Sequence, residues 1–171
     1  MATADKILLG YGVVSVGANP IGLTRGGSAF VVEREFREIE ADGDNGPVVG
    51  RIVIDREVAK LTVNALEMFT AADMVKYYPG ISITPDPAQT PTKNTMTSTL
   101  AIAAGDHNDV TFTGKTKDGK AVTIKVDDAI NMGNLEWTLE DKNEVIAVLE
   151  FTAAYSESAR TTAPWSVEFA V

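Results

Sequence analysis

Residues Val110 to Val126 read VTFTGKTKDGKAVTIKV, and this stretch decides the fold class. Val110 and Phe112 alternate with Thr111, Thr113 and Lys115, the step Asp118-Gly119 follows, and then Val122, Ile124 and Val126 alternate with Thr123 and Lys125. Successive side chains of a strand point to opposite faces, so this pattern predicts a hairpin with one face on a core and one in water. The Asp-Gly step supplies the backbone freedom that a tight hairpin turn requires.

The same period runs outward in both directions. Val145, Ala147, Leu149, Phe151, Ala153 and Tyr155 line up against Glu144, Glu150 and Thr152, and Met96, Leu100 and Ile102 share one side of the segment Met96 to Ala104. Trp137 alternates with Leu139 in the manner of a core residue. Ile7 to Ala18 reads as a first strand, with Ile7, Leu9, Tyr11 and Val13 on one face and Gly10 and Gly12 leaving the other nearly bare. The alternative for that run is the apolar core of a secretory signal. Asp5 cancels the charge of Lys6 and no A-x-A cleavage pattern follows, so a strand is expected.

Phe30 to Glu40 (FVVEREFREIE) is ambiguous in period: Phe30, Val32 and Phe36 suit a strand face, while the Glu and Arg content suits a helix. The dense turn signal DGDNGP at 42–47 and the β-branched run 51–63 settle it as one long charged hairpin, 30–63. Thr70 predicts a helix cap, with Asp73 three residues on and an apolar stripe of Ala71, Met74, Val75 and Tyr78 before Pro79-Gly80. Residues 85–95 (PDPAQTPTKNT) predict a loop too long for a simple turn. The inventory predicts an all-β fold with one short flanking α-helix, an antiparallel β-sandwich or flattened barrel over a single domain, 1–171.

Composition narrows the function classes. There is no cysteine, so disulfides, thiolate metal sites and a cysteine nucleophile are excluded. A net charge of −9 opposes tight nucleic-acid binding, which needs clustered cations to neutralise phosphates. No stretch approaches the roughly 20 apolar residues of a membrane-spanning helix, so no membrane insertion is expected. The one histidine, His107, lies in the turn-like GDHND at 105–109, where Asp106 and Asp109 make a weak ligand set around it. Asp42-Gly43-Asp44-Asn45-Gly46 alternates acidic oxygens like a calcium loop, but the position that needs a bidentate Glu holds Val53. Gly26-Gly27 is not followed by G-K-[ST], and Ser28 lacks a nucleophile-elbow context. No catalytic residue, cofactor or metal is expected.

A series of landmarks carries a resemblance. Ile21-Gly22-Leu23-Thr24-Arg25-Gly26-Gly27, a charged strand ending Ile39-Glu40-Ala41-Asp42-Gly43, then Gly46-Pro47-Val48-Val49-Gly50, Leu61 to Glu67, Phe151-Thr152-Ala153-Ala154-Tyr155 and Pro164-Trp165-Ser166-Val167 follow in order. In this order and spacing the chain resembles the major tail tube proteins of long-tailed phages. The resemblance implies a β-sandwich or barrel of the phage tail tube type. It also implies self-association into hexameric rings that stack, and passage of DNA without specific binding. The implied partners are further copies, the tail tip initiator, the tape measure and the tail terminator, in a virion tail made in the bacterial host cytoplasm. The same core is shared with contractile-tail and type VI secretion tubes, the alternative within this class. A secreted β-sandwich ligand-binding module is the alternative of another class, and it would need an aromatic platform that Trp137 and Trp165 do not assemble in sequence.

Two sets of residues follow from this reading. An acidic lumen repels phosphates, so the charged hairpin is expected to line it, with Glu33, Glu35, Asp55 and Glu57 as wall residues. Arg34, Arg37 and Arg56 could instead pair with them across the strands. Subunit contacts are expected at the hairpin tip 41–49 (Asp42, Asn45, Pro47), the proline loop (Pro85, Pro87, Pro91) and the two terminal arms, 1–6 and 160–171, the second holding Trp165.

Overall fold

The computed structural model describes residues 7–67 and 70–170. The first terminal arm, 1–6, and the last residue of the second lie outside the described residues. Ten strands carry the fold: β1 (Leu8–Val16), β2 (Asn19–Pro20), β3 (Thr24–Glu38), β4 (Ile52–Ala65), β5 (Ile81–Asp86), β6 (Lys93–Ser98), β7 (Asn108–Thr116), β8 (Ala121–Asn131), β9 (Ala147–Thr152) and β10 (Trp165–Phe169). One helix, α1 (Ala71–Tyr77), sits between β4 and β5, and a 3-10 turn (Ala104–Asp106) precedes β7. The sheet order is β2-β1-β7-β8-β9-β4-β3, with β10 also on β8, and every pairing is antiparallel. The all-β class with one flanking helix is as expected. Among the described residues the strands do not close into a barrel, because β2 and β3 each pair on one side only.

The β7–β8 hairpin forms as its alternation predicts. Val110, Phe112, Val122 and Val126 are buried, and Gly119 N–H donates to the Thr116 carbonyl at 2.9 Å with φ of +85° at Gly119. The strand β8 then does more than a hairpin arm. Its residues 122–126 pair with β7 and β10, whereas Ile130 and Asn131 pair with β9. Between them Asp128 adopts a positive φ of 46°, and its N–H is held by the Asp109 carboxylate at 3.1 Å. Lys125 bridges Asp109 and Asp127 at 2.9 and 2.5 Å. One strand thus turns a corner and divides the order into two sheets that share it, β2-β1-β7-β8 with β10, and β8-β9-β4-β3.

The core lies between these sheets. Leu61, Val63 and Ala65 of β4 face Phe151, Leu149 and Ala147 of β9 in register, and Val14, Val16, Val110, Phe112 and Val126 join the same cluster. Each fully buried Leu or Val contributes about 1.5–3 kcal/mol relative to exposure. Helix α1 caps one flank. Thr70 Oγ1 accepts the Asp73 N–H at 3.2 Å, and Met74, Tyr77 and Tyr78 are buried. Val75, expected in that stripe, is exposed, and Tyr77 takes its place. Asn131 is buried without charge: its Nδ2 donates to the Tyr77 carbonyl at 2.9 Å, and its Oδ1 accepts the N–H groups of Gly133 and Glu150.

Four further sequence expectations are corrected. In β1 the core takes Val14 and Val16, while Tyr11 is 68% exposed and Val13 is also exposed. The cause is Phe112, whose ring lies so close to Gly12 that a Cβ there would sit 2.6 Å from it; Gly12 is a seat for an aromatic ring. Strand β6 ends at Ser98, and Leu100, at a positive φ of 56°, and Ile102 are exposed. Trp137, 42% exposed, and Leu139 lie outside the core in the irregular segment before β9. The loop 85–95 is shorter than expected, because Pro85 and Asp86 pair with Asn94 and Lys93 in a β5–β6 hairpin.

Candidate assembly surfaces

The β3–β4 hairpin has a root and an arm. Strand β9 pairs with β4 only from Lys60 to Ala65, so beyond Lys60 the two strands continue as a ribbon with no third strand among the described residues. Cross-strand partners share a face. Phe30/Leu61, Val32/Ala59 and Arg34/Glu57 continue the core face outward, and Glu33/Val58 and Glu35/Arg56 form the other. A bulge at Asp55 then brings Phe36 opposite Ile54 and Glu38 opposite Ile52. Phe36 is 63% exposed, and Ile52 and Ile54 are also exposed, so the outer arm carries an apolar face that no other described element covers. Among the described residues strand β3 pairs with β4 alone, leaving the outer edge of a 15-residue strand open.

The four acids expected to form a lumen wall all find cations within the chain. Glu33 pairs with Lys60 at 3.1 Å, Glu35 with Arg56 at 3.3 Å, Asp55 with Arg37 at 2.8 Å and Glu57 with Arg34 at 2.6 Å. The cross-strand pairing left open by the sequence therefore occurs. Register places Glu33 and Glu35 on the face opposite Glu57. Glu57, with a side chain only 12% exposed, is different in kind. Its carboxylate accepts the Trp165 indole N–H at 2.6 Å, and its backbone carbonyl accepts the Tyr155 hydroxyl at 3.2 Å. Trp165 N–H is the chief influence that holds the Glu57 carboxyl below its ordinary range, against the raising effect of burial, with Arg34 helping. Trp165 also packs on Phe30 with ring centroids 5.9 Å apart. In the free chain Trp165 is therefore an internal joint between β10 and the base of the hairpin arm, a role that neither its position nor its neighbours in sequence signal.

The other contact candidates are open. At the tip, Asp42, Asn45 and Pro47 are exposed, and Asp44 closes the turn by accepting from Ala41 N–H at 2.8 Å and from Arg51 at 2.7 Å. Pro85, Pro87 and Pro91 lie exposed along the β5–β6 hairpin, with a cis bond before Pro91. His107 ends the 3-10 turn. An open apolar recess of about 460 Å³ is lined by Leu66, Trp137, Leu139, Glu144 and Val145.

The sequence matches no protein-family model. It also matches no curated protein. The fold is similar to the cryo-EM structure of the anti-feeding prophage cap, a tube-terminating cap, with a TM-score of 0.57 at 12% identity over 99% of this chain and 95% of that one. A chain of the virion of the native gene transfer agent particle aligns over 94% of this chain and 95% of its own, with a TM-score of 0.49 at 8% identity. The first likeness shows a shared fold along the whole chain.

Proposed function

We propose that this chain is a structural subunit of a phage-tail-type assembly, with no enzymatic role, and that it polymerises as stacked hexameric rings into a tail tube that conducts DNA. The observation that carries this reading is the β3–β4 arm. A folded subunit that leaves Phe36, Ile52 and Ile54 uncovered beside a 15-residue open edge has a surface made for a neighbour. A head-to-tail contact of that kind closes into a ring when its rotation permits. The resemblance to tail tube proteins and the fold shared with the tube-terminating cap support the same class. In this reading the whole chain, 1–171, acts as one tube domain in the virion tail after synthesis in the host cytoplasm. Its partners are its own copies, the tail tip initiator, the tape measure and the terminator. DNA passes without being held: Glu33, Glu35 and Asp55 lie on the wall as ion pairs with Lys60, Arg56 and Arg37, and the net charge of −9 keeps the subunit from attracting phosphates.

A second reading has a specific observation behind it: the similar fold of the tube-terminating cap makes a ring that ends a tube the runner-up. Electron microscopy of concentrated protein, alone and with tail tip components, separates the two. Long hollow tubes support the tube subunit, and isolated rings that bind the end of preformed tubes support the cap. Compact monomers under every condition overturn both and favour a ligand-binding module.

A further inference from the structure

The hairpin tip holds the one Asn-Gly step of the sequence, Asn45-Gly46, and the structure leaves it chemically unguarded. Asn45 and Gly46 are both exposed, and neither the Asn45 carboxamide nor the Gly46 N–H is hydrogen-bonded to another described residue. Gly46 has no side chain to hinder approach to its amide nitrogen, and its φ of +153° is a conformation side chains rarely adopt. Two other Asx-Gly steps provide contrasts within the same chain. At Asp118-Gly119 the glycine N–H is engaged by the Thr116 carbonyl at 2.9 Å, and the Asp118 carboxylate accepts from the Thr116 hydroxyl. At Asp42-Gly43 the geometry is as open, but an ionised carboxylate is a poor electrophile with no good leaving group.

We propose that Asn45 is a site of spontaneous deamidation, which converts the hairpin tip to an aspartyl or isoaspartyl form. The Gly46 amide nitrogen, on losing its proton, attacks the Asn45 side-chain carbonyl carbon. The new C–N bond closes a five-membered succinimide, and the side-chain nitrogen leaves as ammonia. Water then opens the ring at either carbonyl. One product is an ordinary aspartate in place of the asparagine. The other is isoaspartate, in which the main chain runs through the former side chain and is one methylene longer. No oxidant or enzyme is required. Both products add a negative charge beside Asp42 and Asp44, where the new carboxylate competes for Arg51, the cation that closes the tip. The isoaspartyl form also changes the spacing of the loop, so the shape of a predicted contact point alters along with its charge.

The test incubates the full-length folded chain in mildly alkaline buffer and follows the tryptic peptide 38–51 by mass spectrometry. The expected result is a gain of about 1 Da in that peptide. It should appear as two chromatographic products, one of them a substrate for an isoaspartyl methyltransferase, faster than at any other asparagine and within a few-fold of the rate in the urea-unfolded chain. Asn45→Gln, which cannot form the five-membered ring, removes both products. A folded-state rate tenfold or more below the unfolded rate would overturn the proposal, and so would equal modification at Asn134 or Asn143. The modification does not rest on the assembly reading. Protection of Asn45 in tubes relative to the free chain tests that reading separately.

Discussion

Trp165 donates its indole N–H to Glu57 at 2.6 Å, and this contact joins β10 to the base of the projecting arm. The partners stand 108 residues apart in sequence, and each has a second tie: Trp165 to the ring of Phe30, Glu57 to Arg34.

The bond to an ionised acceptor makes Trp165→Phe a sensitive variant. It keeps most of the ring packing and removes the donor, so a loss of about 1.5–3 kcal/mol in urea unfolding is expected. A double-mutant cycle with Glu57→Gln should show coupling of roughly 1 kcal/mol or more. Additivity of the two changes would mean that the contact contributes nothing of its own.

Stability should fall on the acid side, and through identifiable groups. The Glu57 carboxyl is held below the ordinary glutamate range, chiefly by Trp165, and the Asp109 carboxyl below the ordinary aspartate range, chiefly by Lys125. A depressed carboxyl contributes stability that is fully present above its unfolded pKa and is lost as pH falls through the folded one. Unfolding free energy should therefore be flat near neutrality and decline below about pH 4.3. Glu57→Gln should flatten that decline; an unchanged acid limb in the variant would remove Glu57 from the account.

The apolar face of the arm separates folding from assembly. Phe36→Ser and Ile54→Ser replace exposed side chains, so stability should change by no more than about 0.5 kcal/mol each. Rings or tubes should nevertheless fail to form in light scattering and negative-stain images. Normal tubes from a Phe36→Ser, Ile54→Ser double variant would show that this face is solvent-facing in the assembly as well.

Glu33→Lys with Glu35→Lys tests the lumen wall without touching the Glu57 joint. Both acids are surface-exposed and ion-paired, so losing each pair costs about 1 kcal/mol or less, and the new lysines add a repulsion of similar size with Lys60 and Arg56. Tubes should form, and genome ejection from assembled phage should slow. Ejection at the normal rate, or a density map with these residues on the outer surface, would assign the wall elsewhere.

Much of this architecture is legible in the chain because period-two alternation reports burial directly. Val110, Phe112, Val122, Val126, Leu149 and Phe151 announce the core face they occupy. The failures share a cause: alternation says that two faces differ, not which face has a partner. In β1 the apolar set lost the core to Val14 and Val16, because Phe112 of the neighbouring strand lies against Gly12. Leu100, Ile102 and Trp137 alternate without a sheet to pack on. The outer arm could be read as charged from sequence. The bulge at Asp55, which sets the face of Ile52 and Ile54, depends on pairing geometry that no local pattern encodes. Asn131 and the Glu57–Trp165 joint are invisible for the same reason, since their partners lie 54 and 108 residues away.

The corner at Asp128 has a mechanical consequence. Because β8 runs through both sheets, a pull that separates them is borne by covalent backbone rather than by the side chains packed between. Under such a pull β8 is expected to peel from one neighbour at a time, ladder by ladder. Single-molecule stretching between β7 and β9 should accordingly show stepwise lengthening at low force instead of one abrupt rupture.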